Sequence, residues 1–304
     1  MTKAIRHMTP AVFLLLLALS VLWGASFYFV EIALHDLPPL TLVFCRVLTA
    51  AIVLHLILRL RKLAFPWEGR WFGAFLVMGL LNNVVPFSMI FWGQTQIGAS
   101  LAAILNGTTP IFTLLVAHFA TADEKLSGLK ILGAVLGFTG VTVMVGYEAL
   151  SGLTDNVVAQ LAVVLAAFSY GLSGSWGRRF ASQQPLVSAT GQVTGSTLIM
   201  IPIVLLVDKP WTLAMPGHET VLAVLGLGVV STALAYVLFY RILAAAGATN
   251  LMLVTLLIPV TAVTLGTWRL GEVLHPEHWV GTALIALALV MIDGRLPRKL
   301  MGRA

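Results

Sequence analysis

The chain has 304 residues, of which 59% are hydrophobic and only 10% charged, with a mean hydropathy of +0.97 and a formal net charge of +6. An average soluble domain is about a quarter charged, so these proportions exclude a water-soluble globule and point to an all-α polytopic membrane protein. The basic residues are scattered over short loops, which reads as an orientation signal and not as a nucleic-acid surface. One cysteine, Cys45, rules out an internal disulfide.

Apolar runs near the roughly 20 residues needed to cross a hydrocarbon core recur along the chain. Ten spans are expected, at 11–34, 40–58, 71–92, 97–119, 128–147, 156–177, 186–207, 219–240, 249–268 and 278–293. The basic start imitates a signal peptide, but the first run is too long and no small-x-small cleavage pattern follows its first half. With the N-terminus in the cytoplasm, Lys3, Arg6, Arg59, Arg61, Lys62, Arg70 and most later basic residues fall on the cytoplasmic side, whereas only Lys209 and Arg269 fall outside. Both termini are therefore expected to be cytoplasmic.

In chain order, span 1 carries Trp23 at its middle and Glu31 near its outer end, and span 2 carries Arg46 about seven residues in. Ionisable groups at such depth call for a functional hypothesis; pairing with Glu31 or snorkelling is expected for Arg46 ahead of contact with a substrate carboxylate. Span 3 holds Asn82, Asn83, Pro86 and Phe87, and span 4 holds Asn106 and Pro110. An interior proline frees the carbonyl four residues before it, which for Pro86, Pro110 and Pro259 belongs to Asn82, Asn106 and Thr255. A freed carbonyl in lipid is costly unless protein or water satisfies it, so these positions are expected to line a polar interior, although such amides and hydroxyls also simply join helices. Of the neighbours Asn82 and Asn83, only one is expected to point straight inward.

Span 6 carries Tyr170, the apparent mate of Trp23, and the motif Gly171-Leu-Ser-Gly174; span 8 carries Ser231, Thr232, Tyr236 and Tyr240. Aromatic faces beside a few amides suit an amphipathic zwitterion with an apolar side chain. Trp67, Trp71, Trp211, Trp268 and Trp279 lie near span ends and read as interface anchors. No carboxylate lies at mid-membrane, which disfavours proton antiport through a buried acid. Glu124 and Glu272 are expected to cap the helix that follows each. His275-Pro-Glu-His278 reads as interfacial loop, and no metal or cofactor is expected.

The stretch "GASLAAILNGTTP" (Gly98 to Pro110) returns as "GATNLMLVTLLIP" (Gly247 to Pro259). An offset of 149 also lays Gly79 on Gly228, Asn82 on Ser231, Asn83 on Thr232 and Phe91 on Tyr240, and "LWGASFY" lies opposite "FSYGLSG". The repeat divides the chain into residues 1–148 (spans 1–5) and 149–304 (spans 6–10). Five is odd, so the second half enters the membrane from the other face, the arrangement of carriers that alternate access.

Two five-helix halves, Trp-Gly in span 1 and an acidic residue after spans 4 and 9 ("DEKLSG", "GEVLHP") resemble the drug/metabolite transporter superfamily, EamA-like branch. The likeness covers nearly the whole chain through loose motifs, and the first half reads Ala-Asp-Glu where the family has Gly-Glu. Within the family the chain is similar to the bacterial YddG-type exporters of aromatic and other amino acids, by general likeness and not by a diagnostic motif. The resemblance implies ten helices around a central cavity in a bacterial inner membrane, lipid as solvent, a small-molecule substrate, and no nucleic acid. A monomer is expected. Two other readings stand beside it: an intramembrane serine protease using Ser173 with His55 or His118, and a channel or lipid scramblase.

Overall fold

Prolines set where several helices begin. The computed structural model describes residues 9–120, 128–150, 154–180, 182–251 and 254–293, so Glu124 lies outside the described residues. Helix α1 (Pro10–Ala33) opens on Pro10, with the Thr9 side chain accepting from Val12 N at 3.3 Å. Helices α2 (Pro39–Leu60) and, later, α9 (Pro185–Val207) and α13 (Pro276–Asp293) also open on proline, where the missing N–H would have had no partner. Between them run α3 (Gly69–Gly79), α4 (Val85–Gln94), α5 (Ala99–Asn106), α6 (Thr109–Ala120), α7 (Gly128–Leu150), α8 (Thr154–Gly177), α10 (His218–Leu225), α11 (Ala235–Leu251) and α12 (Val254–Arg269). A π turn, Leu80–Val84, joins α3 to α4, and a second, Gly226–Leu234, joins α10 to α11. There is no strand among the described residues.

Seven stretches among the described residues are long and apolar enough to cross a membrane: Pro10–Ala33, Pro39–Leu60, Gly69–Gln94, Ala99–Ala120, Asn156–Phe180, Pro185–Val207 and His218–Ile242. They match the expected spans 1–4 and 6–8. At the expected fifth, ninth and tenth positions α7, α12 and α13 are helical but stand outside that set. One boundary moves. The loop expected after residue 240 is helical, because α11 continues through the run Ala244, Ala245 and Ala246 to Leu251; alanine is the strongest helix former.

The two mated prolines behave differently. Helix α5 stops at Asn106 and α6 starts at Thr109, so Pro110 occupies a helix start and not a helix interior. Thr109 Oγ1 donates to the Asn106 carbonyl at 2.7 Å, satisfying the group that the break exposes. Pro259, by contrast, lies inside the continuous α12.

Small residues decide which helices touch. A Cβ on Gly24 of α1 would lie 2.5 Å from Thr261 Cβ of α12, and one on Gly171 of α8 would lie 2.9 Å from the Phe112 carbonyl carbon of α6. Added to Gly79, it would come within 2.6 Å of Ser196 N in α9; added to Gly228, within 2.5 Å of Thr49 Cβ in α2. Helix α7 meets α13 where a Cβ on Gly140 would lie 2.8 Å from Gly281 O. Helices that approach this closely gain packing that lipid cannot supply. Leu14, Leu60 and Leu206 point outward and are well exposed, as lipid-facing side chains would be.

Carboxylates tie one end of the bundle together. Asp36, after α1, accepts from Gly217 N and Thr220 Oγ1 at the start of α10, both at 2.7 Å. Asp208, after α9, accepts from Thr41 N and Thr41 Oγ1 in the first turn of α2, again at 2.7 Å. Glu272 accepts from Ala99 N at 2.6 Å and Ser100 N at 3.0 Å at the start of α5. Glu272 therefore caps a helix, as expected, but one from the other half of the chain and not the helix that follows it. The cause is local: Gly271 takes φ +68° and Glu272 N bonds Gly266 O at 3.1 Å, a left-handed helix stop that turns Glu272 back. Acid at a helix N-terminus satisfies free N–H groups and complements the dipole.

Candidate functional site

Both π turns fall on the mated polar pairs. Asn82 and Asn83 sit in Leu80–Val84, Ser231 and Thr232 in Gly226–Leu234. π turns inside α-helices concentrate at functional sites. Pro86 begins the α-helix just after the first of them. The expectation that only one asparagine could turn inward is corrected here: both reach the Tyr236 hydroxyl. Asn82 Nδ2 donates to it at 3.2 Å, and it donates to Asn83 Oδ1 at 2.7 Å. The wider turn rotates the two adjacent side chains toward one point.

The network then spreads. Asn83 Nδ2 donates to Ser196 Oγ of α9 at 2.7 Å, and the Ser173 hydroxyl of α8 is shared between Asn82 Oδ1 and Tyr170 O, each at 2.8 Å. Residues from both halves of the chain thus meet around one phenol. That engagement also gives Ser173 an amide partner where a protease nucleophile requires a base; His55 Nε2 lies 3.0 Å from Thr194 Oγ1.

Arg46 does not pair with Glu31, and it does not snorkel. Its side chain is only 5% exposed, its Nε donates to Thr232 Oγ1 at 2.8 Å, and its guanidinium carbon lies 3.9 Å from the Phe87 ring centroid. Glu31 instead accepts from Gln94 Nε2 at 3.2 Å. The ring face of Phe87 offers the cation its negative quadrupole. Thr232 passes its own proton to Leu227 O at 2.7 Å, which leaves its oxygen free to accept from Arg46. Tyr170 and Tyr236 lie within electrostatic reach of the guanidinium, and Tyr240 within reach of Tyr236.

The structure therefore gathers Asn82, Asn83, Phe87, Tyr170, Thr232, Tyr236 and Tyr240 into one polar-aromatic centre. Trp23 sits at its border, its ring 5.8 Å from Phe239, which in turn stands 5.0 Å from Tyr240. Ser231 is turned away: its hydroxyl bonds Leu22 O of α1 at 2.8 Å, a helix-joining role. Asn106 ends α5 with its Oδ1 buried and unpartnered. Thr255 lies on α12, and its side chain is outside the described residues. No group of three metal-ligating side chains exists among the described residues. An outward-opening groove between α2 and α9, lined by Leu48, His55, Arg59 and Leu198, contains none of the expected site residues.

Sequence reasoning passed over two members of this centre. Gln192 and Ser196 lie in α9, where the run Ser188 to Thr197 is unusually rich in small and hydroxyl residues for a span, and that richness was the available signal. Gln192 is 1% exposed and turns its side chain toward the Tyr236 hydroxyl. Arg46 was visible, but its place over Phe87 was not.

An apolar bundle that encloses a polar, aromatic centre built from distant parts of the chain is an arrangement that a membrane transporter requires. The sequence profile of the EamA-like transporter family matches the chain twice, over residues 10–146 and 157–293. The protein belongs to that family. The chain is 23% identical over 281 residues to the uncharacterized transporter YoaV of Bacillus subtilis (strain 168), covering 91% of this chain and 94% of that protein. It is 26% identical over 282 residues to the uncharacterized inner membrane transporter YedA of Escherichia coli (strain K12), covering 91% and 89%. A probable amino-acid metabolite efflux pump of Escherichia coli (strain K12) is 25% identical over 284 residues, covering 90% and 92%. A solved crystal structure shares the fold with a TM-score of 0.68 at 18% identity, covering 95% of this chain and 99% of the other.

Proposed function

We propose that the protein is an alternating-access carrier in a bacterial cytoplasmic membrane that exports small amphipathic metabolites, above all aromatic and other amino acids. It acts as a monomer of ten spans, with residues 1–148 and 149–304 as inverted repeats and both termini in the cytoplasm. The observation that carries this reading is the meeting of the two halves around Tyr236, through π turns placed on repeat mates. Aromatic faces for an apolar side chain and amides for polar ends suit such a ligand. The close helix contacts support the inverted repeat, because Gly24 on Thr261 and Gly171 on Phe112 are the same contact made from opposite halves. So do Lys62 and Lys209, which end α2 and α9 with matching left-handed φ of 54° and 49°. The export of amino acids draws on the printed name of the efflux-pump relative.

The three carboxylate ties each join the two halves, at the end expected to face outside, and would close the exterior side of such a carrier. Rocking of one half against the other would break those ties and expose the centre outward. No Asp or Glu is among the buried described residues, which favours uniport or exchange over proton antiport through a central acid.

The test is counterflow in proteoliposomes with a panel of labelled amino acids at defined pH gradients. Trp23→Ala and Asn82→Ala should each lower saturable flux about tenfold, the loss of one directed contact, while the protein stays monodisperse. Unchanged uptake in both would remove this centre as the binding site. Conducting, voltage-driven flux without saturation would replace the carrier with a channel.

A further inference from the structure

Arg46 is the only Lys, Arg, Asp or Glu among the buried described residues. It lies about 10 Å along α2 from its start, at the helical rise of 1.5 Å per residue. A charge at that depth is held at a cost unless something repays it. The protein repays part: Thr232 Oγ1 takes the Nε proton, and Phe87 covers one face of the guanidinium. No carboxylate forms an ion pair with it among the described residues. Its two terminal nitrogens donate to no protein group there, and neither is among the fully buried atoms left without a partner, so each keeps some accessible surface. The Tyr170 hydroxyl also has no protein partner among the described residues and is not among the fully buried unpartnered atoms. Gln192, buried in the same polar layer, turns its side chain toward the Tyr236 hydroxyl.

Nε anchored and one face stacked leave the guanidinium a single planar fork of two donors, pre-aimed. That geometry matches an oxyanion with two coplanar oxygens, where a lysine would present only a point charge. One positive charge calls for one negative charge. A phosphate monoester brings nearly two, and no second cation is buried with Arg46 among the described residues.

Resting on the carrier reading above, we propose that Arg46 is the anion anchor of the central site. Its free fork holds the carboxylate of the transported metabolite, with the Tyr170 hydroxyl as a neighbouring donor. The substrate's apolar part then lies against the aromatic side chains. Carboxylic acids are carried; their amides, esters and decarboxylated amines are not. The carboxylate would complete the pairing of the guanidinium, so a substrate is selected by its match to this charge.

Counterflow of labelled L-phenylalanine and labelled 3-phenylpropionate, each competed by phenylalaninamide, phenethylamine and phenyl phosphate, tests the proposal. In the wild type the two carboxylates should exchange and compete, and the other three should not. Arg46→Gln should raise the KM for both acids roughly thirtyfold or more, the loss seen when one member of a buried charge pair is removed, and should erase the preference for acid over amide. Arg46→Lys should keep that preference with a smaller loss. If Arg46→Gln does not fold, Thr232→Val, which removes the acceptor that aims the fork, should still raise the KM for the acids about tenfold without raising competition by the phosphate.

An Arg46→Gln or Thr232→Val protein that retains wild-type KM and acid preference overturns the anchor and leaves the carrier standing. A wild type that prefers the amide or the amine also overturns it, since the carried class is then not anionic. A preference for phenyl phosphate overturns the carboxylate assignment. A folded wild type with no saturable flux for any compound defeats the carrier reading itself and the anchor with it, an outcome recognisable because no mutation is involved.

Discussion

Arg46 and Gln192 face mated glycines from the two halves of the chain, one residue out of register with each other. Gly228, in the second π turn, packs against Thr49 and the Arg46 carbonyl; Gly79, its mate beside the first, packs against Ser196 and the Gln192 carbonyl. Around Arg46 stand Phe87 as a stacking face and Thr232 as an acceptor. On the Gln192 side stand the mates of those residues, Tyr236 and Asn83, which bond each other. A cation is served by a π face, and a neutral amide layer by a phenol that can both donate and accept. The frame is nearly symmetric and its chemistry is not. On the carrier proposed above, two halves trading roles would gain from equal frames, and a ligand with one charged end from unequal corners.

The frame itself should break most easily. A Cβ on Gly79 would meet backbone atoms, Ser196 N at 2.6 Å and Gln192 O at 2.8 Å, which cannot rotate away. Gly79→Val should therefore destabilise the protein by about 3 kcal/mol, the upper range for overpacking, read as a lower melting temperature in detergent. Gly228→Ala meets the Thr49 side chain first and should cost less. Equal, negligible effects at both sites would mean that α3 and the second π turn do not approach α9 and α2 as described.

The neutral corner comes next. Asn83→Leu leaves the Tyr236 hydroxyl and Ser196 Oγ each short of one bond and should cost about 1–2 kcal/mol. Tyr236→Phe should cost less, near the roughly 0.6 kcal/mol typical of one bond between membrane helices. The double mutant should cost less than the sum, and strict additivity in thermal unfolding would show that the two side chains do not bond.

The smallest effect lies at the capped end, where both halves use the same chemistry. Hydrogen bonds from Thr220, chiefly, and from Gly217 hold the Asp36 carboxyl below its ordinary value. A carboxylate with a lowered folded value stabilises fully above the ordinary range and loses that contribution as the pH falls through the lowered value. Melting temperature should drop slightly below about pH 4, the ordinary range for aspartate. Asp36→Asn should melt lower at neutral pH and show a flatter acid limb; identical limbs would remove Asp36 from the tie.

Much of this architecture was legible in the residues. Hydropathy placed spans 1–4 and 6–8, because a helix in lipid must be apolar over a length the bilayer sets. Of the residues marked by proline and polar pairing, Asn82, Asn83 and Thr232 lie in the polar centre, whereas Ser231 bonds Leu22 O instead. The capping role of Glu272 was also readable, but its target was not: a carboxylate states that it will accept, never from which distant helix. Pro110 and Pro259 show the same boundary. Both remove a donor, yet only the first sits at a break, since neighbouring groups such as Thr109 and Gly107 decide whether a freed carbonyl is better served by stopping the helix.

By itself, then, the amino-acid order determined a lipid-dissolved bundle, its family, and the residue types at its heart. Only the folded chain decided that Asn82 and Asn83 share one phenol, that Ser231 turns to a backbone carbonyl, and that Arg46 faces Phe87 and Thr232 instead of Glu31. The reason is range. Hydropathy and helix stops act over one turn or one span, whereas those partners lie from 41 residues apart, for Arg46 and Phe87, to 209 for Ser231 and Leu22, and are chosen by which helices pack closely enough to meet.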